Sequence, residues 1–360
     1  MPYRSPLFTG FDSCPSPRRG SGSSGDRLVG SQRALRGSRV IELSIVVVSW
    51  NRSDLTLSCM AAAESVADLL PDQRVEIILV DNGSADDTVA QVRAHHPSVI
   101  VVPFDRNYGF ARGANAGAAR SAGQVILFLN TDAIVTADVC KSVLAHFARR
   151  PQTAIAGPQL LHADGRLQNS AHAFPSILDE LIPSWLIDVM VPGRRPAKRA
   201  VGSRPRRVQA VQGAAFFVRR AVFESLGGFC EDYFFYLEET DFCWKARERG
   251  QWVELLPAQR VLHRAGSSSK EVVPVASRIE YHRSLYRFLR TRSGRFAQLL
   301  AITVRMARGV LVVLGLSLCS FAGGEIRRRL RERAALLSWH LRGCPASAGL
   351  ESVSAERPSG

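Results

Sequence analysis

From residue 41 onward, two short apolar runs alternate with two segments whose apolar residues recur at helical spacing. IELSIVVVSW (residues 41–50) and RVEIILVDNGS (residues 74–84) are rich in β-branched residues, as strands buried on both faces of a sheet are. Residues 52–70, between them, carry apolar side chains at helical spacing, and Ser84 followed by acids predicts the start of a second helix. The pattern predicts β-α-β-α.

The same alternation continues as far as residue 133. VIVVPFDRN and QVILFLNTDA have the character of strands, and GFARGANAGAARSAG between them has that of a helix. We therefore expect an α/β fold with a doubly wound mixed sheet and helices on both faces. In such sheets ligands bind at the carboxyl ends of the strands.

The two ends of the chain differ from this core in composition. Residues 1–38 are rich in Ser, Gly, Pro and Arg, which predicts a disordered leader, and residues 345–360 are predicted to be a disordered tail. Residues 39–280 form the predicted catalytic domain, and a basic, proline-rich stretch at 190–207 predicts an inserted loop. The leader lacks the apolar core of a signal peptide, and seven cysteines without a C-x-x-C pair fit a reducing compartment, so we expect a cytoplasmic protein.

Most of the excess positive charge lies near the C-terminus. The chain has 47 Lys and Arg against 32 Asp and Glu, a net charge of +15, and residues 283–342 contain 13 Arg against Glu325 and Glu332. Residues 309–324 are uncharged for 16 positions, short of the roughly 20 that a spanning helix needs. Residues 281–344 therefore predict a basic, amphipathic helical region that lies on an anionic membrane surface; the alternative is a solvated helix pair that folds back on the domain.

Charge alone leaves other polyanions open as partners. A basic nucleic-acid-binding protein is one alternative, but no helix-turn-helix, zinc-finger or RNA-recognition signature is present, and aromatic residues do not alternate with the arginines. We therefore expect no nucleic acid partner. An NAD-dependent oxidoreductase is disfavoured because SWNRSD, and not G-x-G-x-x-G, follows the first strand.

Three polar clusters follow strand-like runs and could carry chemistry. Asp81-Asn82-Gly83-Ser84 is either a plain turn with Ser84 as helix cap or a site where Asp81 accepts a hydrogen bond from a pyrimidine N–H. Asn130-Thr131-Asp132 is either a turn or a ligand set for a divalent cation bridging a diphosphate. The third cluster has three acids, Glu238, Glu239 and Asp241, amid aromatic residues; burying them without partners is costly, which favours a functional role.

The order and spacing of seven segments are more specific than any one cluster. They are ELSIVVVSWN, EIILVDNGSADDT, DRNYGFARGANAG, VILFLNTDA, VQGAAFFVRR, LGGFCEDYFFYLEETDFCWKARERG and VLHRAGSSS. Together they resemble the inverting glycosyltransferases of family 2, especially the bacterial rhamnosyltransferase-like branch, over residues 41–269. The resemblance implies a GT-A type fold, in which a nucleotide-binding half and an acceptor-binding half share one sheet.

The resemblance also assigns roles to residues. It implies that Asn51, Asp81 and Asn82 contact the nucleotide and that Asn107, Gly109, Asn115 and Gly117 shape the wall near the ribose and diphosphate. Asp132, with Asn130 in place of the family's first acid and with His263, would hold Mg²⁺ or Mn²⁺. Glu239 occupies the place of the usual catalytic base, an aspartate in most relatives, and Glu238 or Asp241 is the alternative.

A mechanism and a cellular setting follow from the resemblance. Glu239 would deprotonate an acceptor hydroxyl that displaces the nucleoside diphosphate in one inverting step. The donor would be dTDP-rhamnose, with UDP-linked hexoses, GlcNAc or galactofuranose as alternatives. The acceptor would be a lipid-linked glycan at the inner face of the cell membrane, in cell-surface polysaccharide synthesis. A non-catalytic relative that binds sugar nucleotide without transfer is the alternative that Asn130 and Glu239 motivate.

Overall fold

The computed structural model describes residues 41–190, 202–264, 273–319 and 323–355. The predicted disordered leader and most of the predicted loop at 190–207 lie outside the described residues.

A nine-stranded mixed sheet forms the centre of the protein, in the order β3-β2-β1-β4-β10-β6-β11-β5, with β8 beside β11. Strands β1, β2, β3 and β4 are parallel to one another, whereas β10 runs antiparallel to β4 and β6. A separate small sheet pairs β7 with β9. The strands are β1 Leu43–Ser49, β2 Val75–Asp81, β3 Ile100–Pro103, β4 Val125–Asn130, β5 Ala133–Ile134, β6 Thr153–Leu161, β7 Ala171–His172, β8 Arg206–Arg207, β9 Ala210–Val211, β10 Ala215–Arg219 and β11 Trp252–His263.

Helices cover both faces of this sheet, so the predicted doubly wound α/β class is confirmed. Residues of α1, α2 and α4 pack into one core with Ile45 and Val47 of β1, and residues of α3 and α8 pack into the other core with Val46. The helices are α1 Ser53–Leu69, α2 Thr88–His95, α3 Phe110–Arg120, α4 Ala137–Arg149, α5 Ile177–Leu181, α6 Ser184–Met190, α7 Arg220–Ser225, α8 Glu238–Glu248, α9 Pro274–Leu318, α10 Gly324–Leu341 and α11 Leu350–Ala355. A short 3₁₀ turn, Pro71–Gln73, follows α1.

Helix α9 is broken into two arms at Gly294, whose φ of 85° and ψ of 173° are not helical. Arm 1 is residues 274–293 and arm 2 is residues 295–318. Arg305 in arm 2 contacts His282 in arm 1 at 2.6 Å, so the chain folds back at the glycine. The predicted boundary at residue 280 falls inside arm 1.

The two arms differ in what surrounds their apolar side chains. Leu285, Phe288 and Leu289 of arm 1 are buried in a cluster with the loop before α8 and with Trp339 of α10. Arm 2 exposes most of its large apolar side chains, namely Phe296, Leu299, Val310, Leu311, Val312, Leu314 and Leu318. Helix α9 has the length and composition of a membrane-crossing helix, and almost none of its most apolar window is buried. The uncharged segment at residues 309–324 does not begin a new helix: its first ten residues continue arm 2, which carries Arg305 and Arg308 just before them.

Several arginines predicted to meet lipid headgroups instead pair with carboxylates of the folded protein. This is a correction to the sequence-based expectation: three of these arginines contact acids of other elements, and Arg283 pairs with an acid one turn earlier on arm 1. The pairs are Arg283–Glu280, Arg287–Asp232, Arg292–Asp241 and Arg305–Glu180.

Residues 345–355, the described part of the predicted tail, contact arm 1 and include helix α11. The Arg283 guanidinium donates hydrogen bonds to the carbonyl oxygens of Pro345, Ala346 and Ala348. Leu350, in α11, is buried.

Of the cysteines in the described residues, Cys59, Cys140, Cys230 and Cys243 are buried and Cys319, at the end of arm 2, is exposed. Burial raises the pKa of the Cys59 and Cys140 thiols to about 12.

Candidate active site

A cleft of about 200 Å³ opens where β1, β2 and β4 end. The topology predicts this location, because parallel strands deliver their carboxyl ends to one edge of the sheet. Six of the predicted site residues line the cleft: Asn51, Asn82, Asn107, Gly109, Asn130 and Asp132.

The wall of the cleft at residues 107–109 is held by amide side chains. Asn82 donates to Asn107 Oδ1 at 2.8 Å, and its own Oδ1 accepts the Tyr108 N–H at 2.9 Å. Gly109 has a φ of 86°, and a Cβ there would lie 2.4 Å from the Phe234 carbonyl oxygen. Glycine is required at this position, because the wall approaches the loop before α8 so closely.

Asn51, at the end of β1, has a left-handed backbone with a φ of 52°. Its side-chain oxygen accepts the Ala85 N–H at 2.7 Å, and its own N–H donates to Ser84 Oγ at 2.9 Å. Ser84 is therefore occupied by Asn51, and α2 begins at Thr88 with Asp87 as its N-cap residue. The prediction of Ser84 as a helix cap is wrong, because the turn closes onto β1 first.

Asp81 lies buried at the end of β2, beside the cleft. One oxygen, Oδ2, accepts the Ser84 N–H at 3.0 Å. The other, Oδ1, is buried and has no hydrogen-bond partner among the described residues. A carboxylate oxygen in this state is a ready acceptor for a ligand N–H.

Asn115 and Gly117, predicted to shape the nucleotide wall, lie outside the cleft. Asn115 exchanges two hydrogen bonds with the backbone of Phe229, each at 2.9 Å. A Cβ at Gly117 would lie 2.3 Å from Val46 Cγ1. Both residues are structural, because helical periodicity points their face of α3 toward the sheet and the 228–231 loop.

Asp132 and His263 meet at the edge of the cleft, with Asp132 Oδ1 3.3 Å from His263 Nε2. The other ring nitrogen, Nδ1, lies 2.8 Å from Gln168 Oε1, an arrangement that presents Nε2 toward Asp132. Metal-binding histidines typically use their second nitrogen in this way. No third Asp, Glu, His or Cys joins the pair within the part of the chain that the structure describes. One carboxylate and one imidazole fit a divalent cation such as Mg²⁺ or Mn²⁺ only if further ligands come from outside these two side chains.

Glu238 and Glu239 occupy the first turn of α8, after a strained turn. Tyr236 and Leu237, just before them, have φ values of 73° and 67°, left-handed conformations that L-residues rarely adopt. Each such residue costs about 1 kcal/mol or more, so the turn depends on its surroundings.

Both glutamates are buried, and their environments differ. Burial raises the pKa of Glu238 well above its usual value, and the negative charge of Glu239 raises it further. Burial also raises the pKa of Glu239, but hydrogen bonds from backbone N–H groups and from the Thr240 hydroxyl oppose that rise. Glu239 is therefore the more readily ionised of the two, and a general base must be ionised before it can accept a proton.

Asp241, in the same first turn of α8, has both oxygens paired with cations. Its Oδ2 contacts Lys245 Nζ at 3.0 Å and its Oδ1 accepts a hydrogen bond from Arg292 of arm 1. Because cations occupy both oxygens, Asp241 does not fit the alternative role of base.

A short segment after β9 separates the cleft from the glutamates. The Asn130 N–H donates to the Ala214 carbonyl oxygen at 3.0 Å, and a Cβ at Gly213 would lie 3.6 Å from Glu239 Cγ. Gly213 and Ala214 thus contact both sides: Ala214 pairs with Asn130 at the cleft, and Gly213 lies against the Glu239 side chain.

Sequence reasoning missed several residues that hold this site. Gln168 orients His263, and His172 Nε2 lies 2.9 Å from Thr240 Oγ1 beside Glu239. Burial lowers the pKa of His172 to about 4, so it is neutral. Leu350 and Val353 of α11 line the cleft. Their sequence surroundings carry no motif, and only the fold brings them together.

The chain belongs to glycosyl transferase family 2, whose sequence model matches residues 44–227. The family resemblance drawn from the sequence is therefore confirmed.

Curated relatives include rhamnosyltransferases. The chain is 28% identical over 255 residues to the N-acetylglucosaminyl-diphospho-decaprenol L-rhamnosyltransferase of Mycobacterium tuberculosis, covering 66% of this chain and 82% of the relative. It is 23% identical over 266 residues to the dTDP-rhamnosyl transferase RfbF of Shigella flexneri, covering 71% and 82%. Among solved structures, GalNAc-T7 with UDP, GalNAc and Mn²⁺ superposes with a TM-score of 0.50 at 16% identity, over 88% of this chain and 60% of that one. The predicted GT-A type fold is confirmed.

Proposed function

We propose that the protein transfers rhamnose from dTDP-rhamnose to a hydroxyl of a lipid-linked glycan, with inversion, in the synthesis of a cell-surface polysaccharide. One observation carries the proposal: a cleft ending in Asp132 and His263 lies across Gly213–Ala214 from a buried glutamate with a raised pKa. The names of the mycobacterial and Shigella relatives support rhamnose as the sugar and a polyprenyl diphosphate as the lipid.

The donor side binds and orients the nucleotide in this proposal. Asp81 accepts a pyrimidine N–H through its buried Oδ1, and the wall built by Asn82, Asn107 and Gly109 contacts the ribose and diphosphate. When bound, Mn²⁺ held by Asp132 and His263 would neutralise the charge that develops on the leaving diphosphate. Asn130 adds an amide oxygen at this edge in place of a second carboxylate.

The acceptor side supplies the base. Glu239 takes the proton of the acceptor hydroxyl while the hydroxyl oxygen forms a bond to the anomeric carbon. The bond from that carbon to the diphosphate oxygen breaks, and its electron pair leaves with the nucleoside diphosphate. Attack from the face opposite the leaving group inverts the anomeric configuration. Positioning and charge stabilisation supply most of the acceleration, and the base contributes about 10²–10⁴-fold.

Arm 2 supports a location at the inner face of the cell membrane. It exposes Leu311, Leu314 and Leu318, and Arg295 and Arg308 on the same arm are exposed as well. Apolar side chains enter the acyl boundary and arginines meet anionic headgroups in helices that lie on membranes. This orientation would bring a lipid-linked acceptor to the catalytic domain.

The decisive experiment measures nucleoside diphosphate release by the purified full chain with Mn²⁺, using dTDP-rhamnose, UDP-glucose, UDP-GlcNAc and UDP-galactofuranose as donors. Each donor is tested with and without a synthetic polyprenyl-diphospho-GlcNAc acceptor, and Asp132→Asn serves as control. We expect acceptor-dependent release from dTDP-rhamnose and a product of inverted configuration by proton NMR.

Two results would contradict the proposal. Release from a different donor would reassign the sugar and leave the chemistry in place. A protein that no donor turns over, but that sugar nucleotides protect from thermal unfolding, would be a non-catalytic binding relative.

A further inference from the structure

The turn that presents the catalytic pair is held from outside by arm 1. Ser284 Oγ donates to the Phe235 carbonyl oxygen at 2.9 Å, and the Tyr281 ring lies 6.0 Å from the Tyr236 ring. Arg287 pairs with Asp232 at the start of the same loop. Because Tyr236 and Leu237 adopt left-handed conformations, these contacts maintain a geometry that the loop alone would relax.

The last of these contacts is the pair between Arg292 and Asp241. Asp241 is almost fully buried, three residues into α8, and Lys245 and Arg292 occupy its two oxygens. Lys245 lies one turn along the same helix, so its contact stabilises α8 locally. Arg292 comes from 51 residues further along the chain and ties α8 to arm 1.

Arg292 also lies at the joint of the C-terminal region. Gly294, two residues later, breaks the helix, and the apolar surface of arm 2 begins beyond it. The guanidinium carbon lies 5.6 Å from the centre of the Trp244 ring in α8, so the side chain contacts α8 through both its charge and its plane. Its Nε is buried without a hydrogen-bond partner among the described residues.

We propose that Arg292 is a positioning residue for the transfer: through Asp241 it fixes the start of α8, and thereby Glu239, relative to the donor cleft. The inference rests on the proposed function, because it takes Glu239 as the base. It adds that a residue of the C-terminal helix α9, about 50 positions after the proposed base, sets the placement of that base. A displacement of about 1 Å at a reacting group can lower the rate about 100-fold.

The experiment compares Arg292→Ala, Arg292→Lys and the matched control Arg290→Ala in the full chain. Arg290 is exposed on the same arm. We expect Arg292→Ala to lower kcat by about 10–100-fold, with the dissociation constant of dTDP measured by calorimetry in Mn²⁺ within about twofold of wild type. Arg292→Lys should recover part of kcat, because a cation again faces Asp241. Arg290→Ala should match wild type.

A double-mutant cycle separates positioning from general stability. In the Glu239→Gln background the base is absent, so adding Arg292→Ala should change the residual rate by less than about twofold. An equal loss in both backgrounds would mean that Arg292 supports folding only, and it would overturn the inference. If Arg292→Ala fails to fold, Asp241→Asn carries the same test, since it removes the charge and keeps the shape.

The two proposals fail in different ways. Full turnover by Glu239→Gln would remove the base assignment and the inference with it. Loss of turnover in Glu239→Gln, together with wild-type kcat in Arg292→Ala, would overturn the role of Arg292 alone.

Discussion

The proposed donor side and the proposed acceptor side of this site are held by different kinds of interaction. On the donor side, neutral amides and backbone groups hold one another within residues 51–109, as in the Asn82, Asn107 and Gly109 wall. On the acceptor side, buried charges hold the catalytic helix through ion pairs with arm 1, such as Arg292 with Asp241. The wall of the donor cleft at residues 82–109 is thus held by contacts that are local in the sequence, whereas the start of α8 is held by arm 1, which lies about 50 residues further along the chain. Loss of the Arg292–Asp241 pair should therefore impair transfer and leave nucleotide binding intact.

The largest effect should come from Glu239→Gln, which removes the base and keeps the size of the side chain. We expect kcat to fall by about 10²–10⁴-fold with dTDP affinity unchanged, because the donor side does not use Glu239. Acceptor-dependent dTDP release and calorimetry measure the two quantities. If dTDP affinity fell together with kcat, Glu239 would contribute to nucleotide binding, and the two sides would not be separate.

His263→Ala tests the donor side alone. Removing one of the two proposed protein ligands should raise the Mn²⁺ concentration for half-maximal rate by at least about 10-fold, since losing even an outer-shell partner of a metal ligand costs about 10–100-fold in affinity. A Mn²⁺ titration of the rate measures this, and His95→Ala, at an exposed histidine of α2, is the control. An unchanged titration would show that His263 orients Asp132 without binding the metal.

The pH dependence should come from the acceptor side. Glu239 must be deprotonated to act, and burial raises its pKa above the usual 4.5, so kcat/KM should fall as the pH drops through a midpoint above 4.5. The rate should fall about tenfold per pH unit below that midpoint. Rate profiles of wild type and Glu239→Gln check this, since the residual rate of the variant should lack that limb. A wild-type profile that is flat down to pH 4.5 would contradict the assignment.

Arm 2 should affect only reactions at a membrane. Leu311→Glu combined with Leu314→Glu should weaken binding to anionic vesicles by at least about tenfold, because each leucine loses its apolar contact and each glutamate is repelled. Turnover with a short-chain, water-soluble acceptor should be unchanged. Ser58→Glu with Ala61→Glu adds the same charge to an exposed face of α1 and should leave vesicle binding close to wild type. If both double variants weakened vesicle binding equally, the effect would come from net charge and not from the apolar surface of arm 2.

The smallest effect, a change in dTDP affinity, should come from substitutions in α11, which contacts both the donor cleft and arm 1. Leu350 and Val353 extend into the donor cleft from a helix anchored on arm 1. Leu350→Ala with Val353→Ala should raise dTDP affinity by about threefold by freeing cleft volume. Calorimetry measures it, with Ser352→Ala as control. A fall in affinity would mean that the two side chains contact the nucleotide.

The donor side could be predicted from the sequence because strand ends fix its position. Asn51, Asn82 and Asp132 each follow an apolar run, and parallel pairing brings such ends to one edge of the sheet. Asn115 and Gly117 were misassigned because they share the motif with Gly109 but lie on the face of α3 that packs on the sheet. Spacing along a helix, and not membership of a motif, decided their role.

For the acceptor side, the sequence reveals which acids are candidates for the base but not which of them acts. The acids at 238, 239 and 241 are recognisable in the sequence, but the choice among them depends on Arg292 and Lys245 occupying Asp241. The positive charge of the C-terminal region likewise predicted that its arginines meet lipid headgroups. In the structure some of them form ion pairs with acids of the protein and others are exposed. Contacts between distant segments determine both outcomes, and neither has a local signal.

The distribution of cysteines gives this protein a built-in site for a spectroscopic reporter. The buried thiols are inaccessible, and the high pKa values of Cys59 and Cys140 make them unreactive, whereas Cys319 is exposed where arm 2 ends. After Cys14 and Cys344 are replaced by serine, an environment-sensitive fluorophore can be attached at that point without introducing a new cysteine. Its emission on addition of vesicles would report the depth of the end of arm 2, and its quenching by lipids brominated at known positions would calibrate that depth.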